Sequence, residues 1–246
     1  MEFYRGVGGA ELALHRLGTG RPLVLLHGLF SSAEMNWVKW GQAAVLAEAG
    51  FECLMPDLRA HGESAAPHDP AAYPPDVLAR DLEALIAHIG LTEYDLCGFS
   101  LGARTSVRGV IGGLTPRRLV LGGMGLKGLT GGSGRGAFFV DAIDRFDAVK
   151  HGDPAYFAVQ FMKSMNVDRI AARLLLGAMA NTDPAQLATV TMPTLVVCGD
   201  LDRDNGSPDD LVAALPNAEL AVIPGTHMSC VTKPDLGIAI RDFLLR

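Results

Sequence analysis

Short apolar runs alternate with longer segments of helical spacing along most of the chain, and this alternation restricts the fold more than any other feature. The runs are rich in Leu, Val and Ile and end near Gly, Pro or Asp; they occupy 21–28, 51–57, 93–100, 117–123, 194–200 and 219–225. The helical segments occupy 34–49, 76–89, 101–113, 207–215 and 234–245. Near-continuous apolar strands suit a parallel sheet that is covered on both faces. The alternation therefore predicts a doubly wound α/β fold.

Two further strands are predicted at the N-terminus, at residues 2–6 and 11–17. Only the glycine-rich turn GVGG separates them, so we expect them to form an antiparallel hairpin at one edge of the sheet. With this hairpin the predicted sheet has about eight strands, most of them parallel.

One long segment, residues 126–190, interrupts the alternation after the sixth predicted strand, which ends near Gly123. It begins with the flexible stretch GLTGGSGRG and continues with short helix-like pieces that carry several Phe and Met side chains. Because a connection between a strand and a helix needs only a few residues, this segment is predicted to be a small helical cap with structure of its own. The α/β core then comprises residues 1–125 and 191–246.

Most Met and Phe side chains of the cap are expected to pack its own small core, while a minority line a pocket, since Met-rich surfaces adapt to varied ligands. The candidate substrate contacts are Phe30, Met124, Phe138, Phe139 and Met162. Three cations of the cap are candidates to bind a substrate carboxylate: Lys127, Arg135 and Lys163. Because Lys and Arg are mostly exposed in proteins, we interpret these three as solvated surface charges.

Composition and charge exclude several functional classes. Hydrophobic residues make up 49% of the chain and charged residues 20%, and the net charge is -6. An acidic chain without a run of Lys or Arg is not expected to bind nucleic acid. No secretory apolar segment or membrane-spanning window is evident, so we predict a cytoplasmic protein that does not contact a membrane. The four cysteines lack metal-binding or disulfide spacing, which fits a reducing compartment.

A serine at position 100 lies between two glycines in the stretch GFSLG, residues 98–102. The stretch follows an apolar run and precedes a helical segment, so Ser100 is predicted to occupy a sharp strand-to-helix turn with strained backbone angles. Side chains at 98 and 102 would collide with the neighbouring helix and strand, which explains the glycines. This turn lifts the hydroxyl above the sheet and presents the N–H of Leu101 at a helix N-terminus, where an anion is stabilised.

A serine hydroxyl is a weak nucleophile unless a base accepts its proton and an acid orients that base. Among the seven histidines, His227 lies directly after the last apolar run and before the final helical segment. This is the carboxyl end of a strand, where ligands of parallel sheets bind. Three carboxylates, Asp200, Asp202 and Asp204, follow the preceding strand and are candidates for the acid.

Five motifs in this order resemble those of the α/β-hydrolase fold family, over nearly the whole chain. LLHG at 25–28 is similar to the family's oxyanion loop, PDLRAHGES at 56–64 to its D-x-R-G-H-G-x-S loop, and GFSLG to its nucleophile elbow. GDLD at 199–202 resembles the G-x-x-D acid motif, and PGTHMS at 224–229 resembles the catalytic-histidine loop. Two positions depart from the family pattern, because Ala60 and Thr226 stand where glycine is common.

The resemblance implies a catalytic triad of Ser100, His227 and Asp202. The family orders its triad Ser…Asp…His, and the last residue of its acid motif is the catalytic acid, so Asp202 is preferred to its competitor Asp200. The implied fold is a mostly parallel doubly wound sheet with a small helical cap inserted after the sixth strand.

The resemblance also assigns the residues around the triad. Leu29 is implied to supply the second oxyanion N–H, paired with that of Leu101. Four polar residues are interpreted as structural groups that brace two loops, since buried polar groups must be hydrogen-bonded; they are His27, Asp57, Arg59 and His61.

These residues predict a serine hydrolase that cleaves a small, largely apolar carboxylic ester and needs no metal or organic cofactor. A lactonase or a carbon–carbon bond hydrolase of aromatic catabolism is the alternative enzyme, because the fold does not decide the bond that is cleaved. A small-molecule binder that keeps the fold without turnover is the alternative of another class. The expected partner is the small acyl substrate, and the expected assembly is a monomer or homodimer.

Overall fold

One eight-stranded sheet organises the protein, which is described over residues 1–246 by a computed structural model. Its strands are β1 Glu2–Arg5, β2 Glu11–Leu17, β3 Arg21–Leu26, β4 Phe51–Pro56, β5 Asp95–Phe99, β6 Leu119–Gly122, β7 Thr194–Gly199 and β8 Ala218–Ile223. Their spatial order is β1-β2-β4-β3-β5-β6-β7-β8. The β1–β2 and β2–β4 pairs are antiparallel and the other pairs are parallel. The predicted edge hairpin and the predicted fold class are confirmed.

The central parallel strands, such as β5, β6 and β7, are apolar at nearly every position because both faces of the sheet are buried there. In β3, Leu23 and Leu25 belong to one apolar cluster, whereas Val24 and Leu26 belong to another on the opposite face. Successive strand residues point to opposite faces, so a strand that is buried on both sides needs a continuous apolar run.

The structure contains nine α-helices. They are α1 Gln42–Glu48, α2 Val77–Ile89, α3 Leu101–Ile111, α4 Leu126–Thr130, α5 Arg135–Asp144, α6 Tyr156–Ser164, α7 Arg169–Gly177, α8 Pro208–Ala214 and α9 Pro234–Leu244. Residues of α2, α3 and α8 pack in one cluster, and residues of α1 and α9 pack in the other. None of these helices combines the length and the apolar content required to cross a lipid bilayer.

The helix predicted over residues 34–49 is interrupted, and this prediction is wrong in its continuity. Glu34–Val38 forms a π-helical turn, and α1 begins only at Gln42. Between them Gly41 has φ of 80°, in the left-handed region, which a right-handed helix cannot contain. The apolar spacing continues through the break, so periodicity alone does not reveal it.

Residues 126–190, the proposed cap, contain α4 to α7 and a 3₁₀ turn at Pro184–Thr189, between β6 and β7. Several of their apolar side chains form a small cluster of their own, among them Ile143, Val159 and Met162. This segment reaches back to the sheet where β5 and β6 end, next to the turn that carries Ser100.

Candidate active site

Ser100 occupies the turn between β5 and α3 with φ of 53° and ψ of −109°. Positive φ is uncommon for a residue other than glycine and stores backbone strain. The turn is held by the N–H of Ser100, which donates a 2.8 Å hydrogen bond to the carbonyl of Gly122 on β6. The strained elbow that the GFSLG stretch predicts is therefore present, with the serine half-buried at its tip.

Gly98 and Gly102 allow two backbone segments to approach more closely than any side chain permits. A Cβ atom on Gly98 would lie 2.2 Å from the carbonyl group of Gly102, and one on Gly102 would lie 2.2 Å from the carbonyl oxygen of Leu26. Both obstacles are backbone atoms, which cannot rotate away as a flexible side chain does.

We expect Gly98→Ala to lower the free energy of unfolding by at least about 3 kcal/mol, the upper range of overpacking costs. Urea unfolding followed by circular dichroism measures this change. Gly177→Ala is the matched control, because nothing lies within 4 Å of its added Cβ. A Gly98→Ala variant as stable as Gly177→Ala would contradict the close approach.

A continuous pair of hydrogen bonds connects Ser100, His227 and Asp202. The Ser100 Oγ lies 3.0 Å from His227 Nε2, and His227 Nδ1 lies 2.8 Å from Asp202 Oδ2. The three residues follow the carboxyl ends of β5, β8 and β7, which all belong to the parallel part of the sheet. The structure thus brings together the three residues that the sequence selected.

Asp202 is buried and ionised. Burial alone would raise the pKa of its carboxyl, but the hydrogen bond and charge of His227 outweigh burial and hold that pKa below its usual value. Its other oxygen, Oδ1, accepts a 3.1 Å hydrogen bond from the N–H of Asp204. The competing Asp200 instead accepts a 2.7 Å hydrogen bond from the N–H of Gly225, on the loop that carries His227.

Two backbone N–H groups beside Ser100 donate to no protein atom. Leu29 makes no hydrogen bond through its N–H, and Leu101, as the first residue of α3, has no acceptor within its own helix. These are the two residues that the sequence predicts for the oxyanion site. A helix N-terminus stabilises negative charge, so the position between the two amides suits an anion.

A cavity of about 280 Å³ opens beside Ser100, near the lower limit of the volumes that are usual for small-molecule sites. Leu29, Leu101, Arg104 and Met124 line it from the core. Residues of the proposed cap, among them Arg135 and Phe139, line the opposite side.

Two of the five predicted substrate contacts, Met124 and Phe139, line this cavity. The other three do not lie among the lining residues. Phe30 and Met162 are buried in the apolar cluster of the proposed cap, and Phe138 packs against the same cluster. Apolar side chains of one type fill a small core and a pocket wall equally well. The residue type therefore does not predict which of the two they occupy, and the path of the backbone decides.

Several lining residues were missed by sequence reasoning, above all Arg104, Met179, Asn181 and Asn205. Arg104 carries a usable signal, since it stands four residues after Ser100 and therefore on the same face of α3. Arg135, interpreted from the sequence as a surface charge, lines the cavity. Lys127 and Lys163 are not among the lining residues.

Comparison with known proteins agrees with the fold. A model of the α/β-hydrolase fold matches residues 21–108. A hydrolase structure from Pseudomonas aeruginosa PA01 superposes with a TM-score of 0.80 at 23% identity, over 99% of this chain and 97% of that chain. The chain has the α/β-hydrolase fold.

Proteins that are similar to this chain are named for diverse activities. A non-heme haloperoxidase of Rhodococcus erythropolis is 26% identical over 96% of each chain. An N-formylmaleamate deformylase of Pseudomonas putida is 32% identical over 55% of this chain and 50% of the deformylase. These named activities differ from one another, so the reaction of this chain must be argued from its own site.

Two buried histidines hold the loops around the elbow of this protein. His27 Nε2 accepts a 2.9 Å hydrogen bond from the N–H of Leu58, and His61 Nε2 accepts one of 2.9 Å from the N–H of Phe30. Their Nδ1–H groups donate to the carbonyls of Gly28 and Arg59. Both rings are neutral, since protonated Nε2 would face an N–H donor. These contacts agree with the structural role expected for the two histidines.

The acidic and basic members of the bracing set reach further than two loops. Asp57 Oδ1 accepts from the N–H of Ala33, 2.7 Å away, and thereby holds the end of the loop that contains Leu29. Arg59 pairs with the carboxylate of Asp81 on α2 at 2.8 Å and also donates to the carbonyl of Val7. The sequence placed Arg59 between two loops, whereas it ties the elbow region to α2 and to the N-terminal hairpin.

Acidification is expected to destabilise the protein through these histidines. Burial lowers the pKa of His61 to about 3, and it lowers that of His27 as well. An unfolded histidine titrates at about 6.5, so below that pH the unfolded chain binds protons that the folded chain refuses. Stability is complete above about pH 6.5 and falls as the pH decreases towards 3.

We expect the urea midpoint to decrease between about pH 7 and pH 4.5, and His61→Gln to show a smaller decrease than the wild type, by about 2 kcal/mol in the free energy of unfolding. His151→Gln is the matched control, because His151 is exposed. Equal pH slopes for the wild type and His61→Gln would refute the role of His61.

One group of side chains near the triad has the spacing of a metal site. Ligand atoms of Asp202, Asp204 and His227 all lie within 4.8 Å of one another. His227 Nδ1 and the Asp202 carboxylate already bind each other, so a cation there would have to displace the hydrogen bond that orients the imidazole.

Proposed function

We propose that this protein is a serine hydrolase that cleaves small, largely apolar carboxylic esters through an acyl-enzyme on Ser100. The observation that carries the proposal is the unbroken path Asp202–His227–Ser100, with contacts of 2.8 and 3.0 Å, at a strained elbow next to two unoccupied backbone N–H groups. A serine that has only a structural role needs none of these features.

The geometry supports a two-step reaction. His227 Nε2 accepts the proton of Ser100 Oγ as the oxygen attacks the ester carbonyl, and the amides of Leu29 and Leu101 stabilise the oxyanion. The imidazolium then protonates the alcohol that leaves, and an ester bond to Ser100 remains. Water, deprotonated by His227, attacks that ester and releases the carboxylic acid, which restores the serine.

Asp202 keeps the imidazole in the reactive tautomer. With its carboxylate ionised, it accepts the Nδ1–H of His227, so the lone pair of Nε2 faces Ser100. Its negative charge also stabilises the imidazolium that forms during each step.

The first experiment is hydrolysis of p-nitrophenyl esters from acetate to octanoate, together with labelling by a fluorophosphonate probe. We expect labelling at Ser100 and faster turnover of the shorter acyl chains, since the cavity is about 280 Å³. Labelling without ester turnover would refute the ester assignment and direct the search to lactones and dienones. Absence of both would indicate a binder that keeps the fold without catalysis.

A further inference from the structure

The charged side chains that line the cavity beside Ser100 are all positive. Two arginines, Arg104 and Arg135, are among its lining residues, and no Asp or Glu is. Low-dielectric walls lined by charges of one sign concentrate ligands of the opposite sign. The positive charge of this cavity therefore favours negatively charged acyl substrates over neutral ones, a distinction that the triad alone does not make.

Arg104 is a buried cation without an acidic partner. One guanidinium nitrogen donates to the carbonyls of Gly128 and Leu129 at 2.6 and 3.2 Å, and the other binds the Ala180 carbonyl and the side-chain oxygen of Asn181. These acceptors are neutral, so hydrogen bonds are satisfied while the charge is not compensated. Buried charges in proteins are normally paired, which makes this cation a candidate to act on a ligand.

Arg135 is the more accessible of the two cations. It begins α5, and its guanidinium contacts the carboxylate of Asp204 through one nitrogen at 2.7 Å. The other two guanidinium nitrogens have no hydrogen-bond partner in the protein. Asp204 is itself 42% exposed, and ion pairs at such exposure are weak. Arg135 can therefore bind a second carboxylate without first breaking a strong interaction.

Arg135 is also close to the reacting groups. Its partner Asp204 has a carboxylate oxygen within 4.8 Å of a ring nitrogen of His227. The guanidinium stacks against Phe139, 4.9 Å from the ring centroid, and this contact limits its movement. A substrate that is bound at Ser100 needs only a short chain to place a carboxylate on Arg135.

We propose that the substrates of this protein carry a carboxylate on a short acyl chain, as in a half-ester of a small dicarboxylic acid, and that Arg135 binds this carboxylate while Arg104 adds positive potential. The inference rests on the proposed hydrolase function and replaces its largely apolar ester by a small ester whose acyl chain carries a charge. The planar guanidinium suits a carboxylate because it donates two parallel hydrogen bonds.

Two matched methyl esters test the proposal: the monomethyl ester of glutaric acid and the methyl ester of glutaramic acid, which replaces the distal carboxylate by a neutral amide of the same shape. Methanol release gives kcat/KM for each. We expect the wild type to prefer the carboxylate at least tenfold, and Arg135→Gln to lose at least tenfold in that preference. Arg135→Lys should retain part of it, since the charge remains. Lys163→Gln is the control, because this cap cation does not line the cavity and should leave the preference unchanged.

A second readout does not need turnover: the concentrations of glutarate and glutaramate that protect Ser100 from a fluorophosphonate. We expect glutarate to protect the wild type at a concentration at least tenfold lower, and this advantage to vanish in Arg135→Gln. Equal protection by the two compounds, or an undiminished preference in Arg135→Gln, overturns the proposal while labelling of Ser100 leaves the hydrolase function standing. A chain that neither labels nor hydrolyses either ester refutes the hydrolase function itself.

Discussion

Replacing Ser100 with alanine is expected to reduce kcat on the preferred p-nitrophenyl ester by about 10⁶-fold. The remaining rate is that of the uncatalysed reaction together with any acceleration that substrate binding alone provides. The reason for this loss is that the proposed mechanism forms a covalent bond to Ser100 Oγ, the hydroxyl oxygen that contacts His227 Nε2. Stopped assays with concentrated enzyme and long incubation measure the residual rate, and the fluorophosphonate label should disappear together with the activity.

Ser106→Ala is the matched control for this change. Ser106 lies on the same helix, α3, and its hydroxyl donates a 2.9 Å hydrogen bond to the carbonyl of Gly102. Its loss removes a buried hydroxyl near the elbow without touching the proposed nucleophile. Activity of the Ser100→Ala variant comparable to that of Ser106→Ala would show that the serine is not the nucleophile.

Asp202→Asn is expected to reduce kcat on the order of 10⁴-fold, because an amide in place of the carboxylate stabilises the unreactive tautomer of His227 and no longer balances the imidazolium charge. Asparagine has nearly the same size as aspartate, so the Asp202→Asn variant should fold normally, as near-UV circular dichroism would verify.

Asp200→Asn distinguishes the two aspartates of the acid motif. Asp200 accepts a hydrogen bond from Gly225, and the asparagine oxygen can still accept it. We expect Asp200→Asn to retain activity within about tenfold of the wild type. A larger loss in Asp200→Asn than in Asp202→Asn would reverse the assignment of the acid.

Much of the fold follows from local chemistry. The central parallel strands are continuous apolar runs because they are buried on both faces, as Leu23 and Val24 illustrate by belonging to opposite clusters. The elbow at Ser100 is equally readable, since glycine on both sides of a serine after an apolar strand answers a steric demand that few other turns make. Helical apolar spacing wrongly predicted one continuous helix over 34–49, because Gly41 adopts a left-handed conformation that periodicity does not encode.

The amino-acid sequence by itself determined the order of the strands along the chain, the strained turn and the three residues proposed as a triad, because each depends on neighbours in the sequence or on the end of a strand. Only the tertiary structure decided which side chains line the cavity. Phe30 and Met162 pack in the apolar cluster of the proposed cap, whereas Arg104 and Arg135 line the cavity beside Ser100. Side chains of one chemical type suit a core or a cavity wall equally well, and the path of the cap backbone across the sheet selects between them.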